Sequence, residues 1–215
     1  MAKVLLKPLL KLHSFSYSFS GMYASILNNG VHPKHRIMKY KEWFVDNIEK
    51  EWVVLDVGCN SGMMPEVMCK QANFIYGIEI VKKLIDEAKM HRQKKNIEYI
   101  YADATSYNYS NCKPIDCVTM SNVLEHIENR VDFLKKLITQ INWNGKKRFL
   151  IRVPMIDREW IAVYKKELGI EYRLDGTHYI EYTFDIFKKE LSEASIIIRA
   201  YEIKFGEIYA ICESK

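Results

Sequence analysis

The chain has no apolar run approaching the roughly 20 residues that a bilayer-spanning helix needs, so no transmembrane segment is expected. Its opening, MAKVLLKPLLKLH, is apolar, but Lys7 and Pro8 interrupt it and no small-residue cleavage site follows, which argues against a secretory leader. The cysteines, Cys59, Cys69, Cys112, Cys117 and Cys212, are odd in number and form no C-x-x-C pair. Neither a disulfide framework nor a zinc knuckle is expected, and a reduced, cytoplasmic setting fits. Neither sign of charge dominates: 32 bases stand against 27 acids, a net +5, and the bases read as spread along the chain. Clusters such as Lys94–Lys95 and residues 146–148 suit a solvated surface better than a nucleic-acid groove, so nucleic acid is not an expected partner. No internal repeat or low-complexity segment is present. With 48% hydrophobic and 27% charged residues in 215, what remains is an ordinary globular chain of one domain, with room for an appended helical cap.

The stretch the rest is organised around is residues 51–68, EWVVLDVGCNSGMMPEVM. Val53, Val54, Leu55 and Val57 form a short, mostly β-branched run, which predicts a strand buried on both faces. After Asp56 come Gly58 and Gly62 with Asn60 between them, and Pro65 then suits the first turn of a helix. Strand, tight turn and helix make the first unit of a nucleotide-binding α/β sheet. Glycine there permits positive φ and lets a ligand approach the backbone where a Cβ would collide.

A second acid gives this turn its meaning. Residues 74–80, FIYGIEI, predict a strand that carries Glu79 near its tip, and 79 − 58 places it 21 residues past the first glycine. A carboxylate there can accept hydrogen bonds from both hydroxyls of a ribose. Dinucleotide sites favour G-x-G-x-x-G, but those positions hold Gly58, Asn60 and Met63. Asp56, just before the turn, would repel a diphosphate and suit an ammonium group. S-adenosylmethionine, with its amino group and sulfonium, fits this edge better than a dinucleotide.

These residues resemble the class I S-adenosylmethionine-dependent methyltransferases. VVLDVGCNSG looks like the family's first motif, GIEI holds its second-strand acid, YADAT its adenine-contacting acid Asp103, and IDCVTMSNVLEHI its fourth strand and following loop. The resemblance spans about residues 53–137 and departs at Asn60, where many members have a glycine. Asn tolerates the left-handed conformation better than most residues, so the turn is expected to be kept. The resemblance implies a seven-stranded, mostly parallel, doubly wound Rossmann-like sheet. It assigns the cofactor, whose product is S-adenosylhomocysteine, to Asp56, Gly58, Cys59, Asn60, Gly62, Glu79, Ile80, Asp103, Ala104, Ser121 and Asn122.

Around this centre the alternation of strands and helices continues. Residues 81–94 predict a helix with Leu84, Ile85 and Ala88 inward, residues 97–101 and 115–120 strands, and residues 131–141 a helix with Phe133, Leu134, Leu137 and Ile138 facing the sheet. A fifth strand over 148–153 stops at Pro154. Residues 154–185 then form an aromatic, polar insertion over the carboxyl edge of the sheet, where ligands bind. Thr183 is expected to cap a helix reaching Ala194. Strands over 195–203 and 207–212 close the fold. Residues 1–50 are expected to form a helical cap on a catalytic domain of 51–215. Its first helix, over 4–12, carries Lys3, Lys7 and Lys11 on one stripe and is expected to pack on the domain's edge rather than on an anionic membrane. A break over 14–21 and a helix over 34–50 follow, the latter with Ile37, Tyr40, Trp43, Phe44 and Ile48 on one face. Lys34, His35, Arg36 and Tyr40 could reach the site.

For the chemistry, His126 and His178 compete as general base, each against the bland reading of a loop histidine. Glu125, His126 and His178 offer hard-metal ligands, but a related metal-binding string needs a carboxylate where Asn122 stands, so no metal is expected. The last third of the chain resembles methyltransferases of bacterial surface-polysaccharide (capsule) synthesis. That implies O-methylation of a sugar or phosphate-linked group of a glycan precursor, with Arg173 and Tyr179 lining the acceptor side and Arg152, Arg158 and Lys165 adding positive charge. A small-molecule N-methyltransferase and a catalytically silent cofactor-binding subunit are the alternatives.

Overall fold

The computed structural model describes residues 2–214, and the side chains of residues 2–4 lie outside that description, with them the Lys3 end of the predicted stripe. Seven strands form one sheet in the order β3-β2-β1-β4-β5-β7-β6. They are β1 (Val53–Val57), β2 (Phe74–Glu79), β3 (Ile97–Tyr101), β4 (Ile115–Ser121), β5 (Trp143–Pro154), β6 (Ile196–Lys204) and β7 (Glu207–Ser214). The first five run parallel; β7 inserts antiparallel between β5 and β6. The predicted doubly wound sheet and its closing hairpin are both present.

Every residue of β1 is buried, as a strand covered on both faces requires. Val53, Leu55 and Val57 pack on one side with Phe133, Leu134 and Leu137 of α6 (Arg130–Gln140) and Phe187 and Leu191 of α8 (Phe184–Glu193). Val54 points to the other side, where it meets Phe44 of α3 (Tyr40–Asp46) and Met64 and Met68 of α4 (Met63–Met68). Ile85 and Ala88 of α5 (Lys82–Arg92) cover β3 through Ile97 and Tyr99. Thr183 caps α8 as predicted, its side chain accepting from the Ile186 amide at 3.3 Å.

Four local expectations need correction. The break over 14–21 does not form: α1 (Ala2–Leu27) is one continuous helix. Nor does α1 pack along the domain's edge as a whole, since Leu10 is its only buried side chain among the described residues. The helix expected over 34–50 is divided instead. Lys39 takes a left-handed φ of 50° between α2 (Lys34–Ile37) and α3. That turn puts Tyr40, Phe44 and Ile48 into the core and leaves Ile37, out of phase, exposed. Strand β5 also starts earlier than its apolar core, at Trp143, because the pairing of Trp143 with Ile115 extends it. It ends, as expected, at Pro154.

Candidate functional site

The glycine turn after β1 is locked by its neighbours. The amides of Gly58 and Cys59 donate to the Ile78 carbonyl at 2.9 and 3.0 Å, which ties the turn to β2. Gly58, Asn60 and Gly62 have φ of 69°, 51° and 85°, so Asn60 keeps the left-handed conformation expected of it. Its side-chain oxygen accepts from the Ser61 amide at 2.7 Å, a local bond that suits Asn in this region. A Cβ on Gly62 would lie 2.5 Å from the Tyr99 hydroxyl, and one on Gly58 would lie 2.6 Å from Val123. These two glycines are therefore fixed by both backbone conformation and space.

Glu79 joins the turn to the end of β2. One carboxylate oxygen accepts from the Asn60 amide at 3.1 Å and the other from the Val81 amide at 3.0 Å. Because an ionised carboxylate offers about four acceptor positions, two remain for a ligand's hydroxyls. Beneath the turn lies Asp56, buried and paired with Thr119, whose hydroxyl donates to it at 2.6 Å. Its second oxygen has no partner within the protein. Burial raises this carboxyl to about 7; the Thr119 bond pulls it down and the nearby Glu79 pushes it up.

Between these acids and the loop after β4 opens a cleft of about 580 Å³. Of the residues assigned to the cofactor, Gly58, Glu79, Ile80, Asp103 and Ala104 line it. Ile80 is 58% exposed there, an apolar surface suited to the face of a flat ring. Asp103 holds its loop by accepting from the Thr105 amide and hydroxyl, each at 2.8 Å. The other assigned residues do not line the cleft; Asn60 is exposed on the turn and Gly62 is buried within it. Asp56 and Cys59 are buried under the turn. Ser121 accepts from Arg152 at 2.8 Å, and Asn122, with φ of 56°, leaves its amide oxygen buried without a partner. Val123, Ile127 and Phe133 supply apolar wall that went unnoticed in the sequence; the only signal was their place just after the fourth strand.

The two candidate histidines meet, their ring centres 4.6 Å apart and nearly perpendicular, but in different settings. His126 is exposed and lines the cleft; His178 is buried behind it. His126 Nδ1 lies 2.9 Å from the Thr177 hydroxyl, which is also 2.8 Å from an Asp175 carboxylate oxygen. Thr177 has one proton and the carboxylate takes it, so the hydroxyl accepts from Nδ1–H. The lone pair of His126 then sits on Nε2. Burial and the neighbouring His178 lower the His126 pKa, which favours this neutral form at pH 7. The sequence offered Asp175 only as a hydrogen-bond neighbour of His178 and left Thr177 without a role, although D-x-T is a local Asx-type turn signal.

Glu125 lies beside this pair, fully buried, with both carboxylate oxygens unpartnered. Desolvation raises it to about 8. Glu125, His126 and His178 each present a ligand atom within 4.8 Å of the others, so these are the residues that could hold a cation.

The acceptor side differs from expectation. Tyr179 lines the cleft, 60% exposed, but Arg173 lines a separate cavity of about 280 Å³ between α1 and α7 (Trp160–Glu167). Its guanidinium is tied to Glu171. Arg152 is buried against Glu207 and stacked 4.0 Å over Tyr40, and Arg158 is paired with buried Glu181. The three arginines expected to attract anions thus already have carboxylate partners; burial requires this of Arg152 and Arg158, while Arg173 pairs with Glu171 at the surface. Lys165 is also buried, bonded to Ser14 at 2.9 Å. Of the α2 and α3 residues expected near the site, Tyr40 meets Arg152 and is itself 2.5 Å from His35; Lys34 and Arg36 are exposed.

The strand order, with one antiparallel strand inserted next to the edge, and the glycine turn facing an acid at the tip of β2 define a class I methyltransferase fold. Residues 55–146 match the family model described as a methyltransferase domain. Ubiquinone biosynthesis O-methyltransferase of Coxiella burnetii is 30% identical over 146 residues, covering 65% of this chain and 59% of that protein. The enzyme of the same name from Aeromonas salmonicida is 26% identical over 131 residues, 58% of this chain and 53% of its own length. The chain thus spans little more than half the length of these curated relatives. Among solved structures, an S-adenosylmethionine-dependent methyltransferase from Clostridium acetobutylicum superposes with a TM-score of 0.64 at 12% identity, over 93% of this chain and 98% of that one. Magnesium protoporphyrin IX methyltransferase from Synechocystis PCC 6803, with bound S-adenosylhomocysteine, gives 0.63 at 17% identity, over 85% and 83%.

Proposed function

We propose that this protein is an S-adenosylmethionine-dependent O-methyltransferase in which His126 is the general base. The carrying observation is the cleft itself, which brings the Gly58 turn, Glu79, Ile80 and Asp103 together with a histidine whose lone pair is free. The residues fit the cofactor. Glu79 keeps acceptor capacity for ribose hydroxyls, Ile80 offers a face to adenine and Asp103 an acceptor for its amino group. Asp56 supplies negative charge under the turn where the methionine ammonium would lie. The cofactor supplies a methyl group on a good leaving group, so the chain's task is alignment, exclusion of water and removal of one proton. His126 Nε2 takes that proton from the acceptor hydroxyl, and Thr177 and Asp175 hold the tautomer that allows it.

The acceptor is read as a neutral hydroxyl beside Tyr179. Pairing of Arg152, Arg158 and Arg173 with carboxylates weakens the case for a phosphate-linked glycan precursor. The curated relatives, named for ubiquinone biosynthesis, favour O-methylation without pointing to surface polysaccharide. Calorimetry with S-adenosylhomocysteine tests the cofactor reading: absence of binding at high micromolar concentration ends it. Glu79→Ala should weaken binding by on the order of 2 kcal/mol, as for lost hydrogen bonds to a charged group. His126→Ala should abolish turnover and keep the cofactor; His178→Ala should disturb both. A panel pairing a polyhydroxylated aromatic with a nucleotide sugar separates the acceptors. A second, metal-assisted reading draws on the unpartnered Glu125 oxygens beside two histidines; turnover that falls with chelator and returns with magnesium or manganese would favour it.

A further inference from the structure

The sequence up to Lys41 contains seven lysines and arginines and no acid, so its formal charge is +7. The remaining 25 bases and 27 acids leave the rest of the chain slightly negative. The positive balance of the protein is therefore not spread at all but gathered at one end.

The same end carries an inverted amphipathic helix. At ~100° per residue, Leu5, Leu12, Phe15, Phe19, Met22 and Ile26 of α1 fall within an arc of about 100°. All six are exposed, by 41% to 62%. The opposite side holds Leu10, which is buried, Ser14, which meets Lys165, and half-buried Gly21. Apart from Leu10, the residues named on the inner side are small or polar, while large apolar ones face outward. Phe15 and Phe19 stack with ring centres 4.3 Å apart along that outer face. Lys7 and Lys11 stand outside the arc, and Lys34, Arg36 and Lys39 follow on exposed backbone. No helix among the described residues is long and apolar enough to cross a membrane.

We propose that α1 is a membrane-surface anchor that lies in the plane of an anionic phospholipid bilayer, its outer face among the acyl chains and its bases on the headgroups. An exposed apolar stripe with bases along one margin and no acid on the helix is what such a surface attracts, by apolar burial and by charge together. A second copy of the chain suits the face less well. Pairing two α1 helices would bring two acid-free, positively charged segments side by side with no carboxylate to pair across the seam, and Pro8 lies at a seam position. The contact of His13 and Ser14 with Lys165 ties α1 to the segment after β5, so the anchor would hold that side of the molecule toward the bilayer.

The test is co-sedimentation of the full chain with phosphatidylcholine vesicles, with and without phosphatidylglycerol, at low and high salt. The protein should pellet with the anionic vesicles and be released by salt. Two double variants, Phe15→Ser with Phe19→Ser and Lys7→Glu with Lys11→Glu, should each partition about tenfold more weakly or worse. Both change exposed side chains, and unaltered thermal unfolding would show that they fold. Equal binding to neutral vesicles, or none to anionic ones, overturns the proposal. So does a lipid-free dimer by light scattering that the Phe15→Ser, Phe19→Ser variant converts to monomer, which would assign the face to a second copy.

Discussion

Replacing Glu125 by glutamine should make the protein more stable at alkaline pH and change little at acid pH. Glu125 is fully buried with no partner for either oxygen, and desolvation raises its carboxyl from 4.5 to about 8. A carboxyl raised on folding contributes stability that is whole below pH 4.5. That stability drains away as pH climbs toward 8, because the unfolded chain releases the proton first. At 1.36 kcal/mol per unit, a shift of this size corresponds to about 4 kcal/mol lost between pH 5 and pH 8.5, as an order of magnitude. Glutamine has the same shape and does not titrate. Asp56 titrates with the same sign in both proteins and cancels in the comparison. Urea unfolding of wild type and Glu125→Gln, with chelator present, should show the variant's advantage growing by about 3–4 kcal/mol across that window. An advantage that stays below about 1 kcal/mol refutes the reasoning and means that the carboxylate has a charged partner in solution.

Three further outcomes follow from the same geometry. Gly62→Ala places a Cβ at a φ of 85° against the Tyr99 hydroxyl and Ala88; thermal unfolding should show a loss of about 2–4 kcal/mol, and an unchanged midpoint would contradict the packing described. Thr119→Val removes the bond that pulls the Asp56 carboxyl down, so its pKa should rise by about 1–2 units. S-adenosylhomocysteine should then bind weakly at pH 7 and recover near pH 9; a loss independent of pH would show that Thr119 acts only in packing. Thr177→Val frees the His126 tautomer and should lower kcat about tenfold or more with KM for the cofactor unchanged, whereas a rise in KM alone would remove Thr177 from the proton path.

The doubly wound sheet, its closing hairpin and the glycine turn after the first strand were readable in the sequence because they rest on local signals. Apart from Asp56, Val53 to Val57 is apolar at every position; Gly58 and Gly62 are needed where φ is positive, and Glu79 lies at the end of the next strand. Each is a property of a few adjacent residues, and each survives folding unchanged. What the sequence could not convey depended on which side chains meet across long separations. His126 and His178 looked equivalent until Thr177 and Asp175, some 50 residues from His126, gave one of them a fixed tautomer and an open face. Arg152 and Arg158 looked like free cations until the distant Glu207 and Glu181 neutralised them. The outward face of α1 was hidden for the same reason. Periodicity shows that a helix has an apolar side, but only tertiary packing decides whether that side meets the core or is left to meet something else.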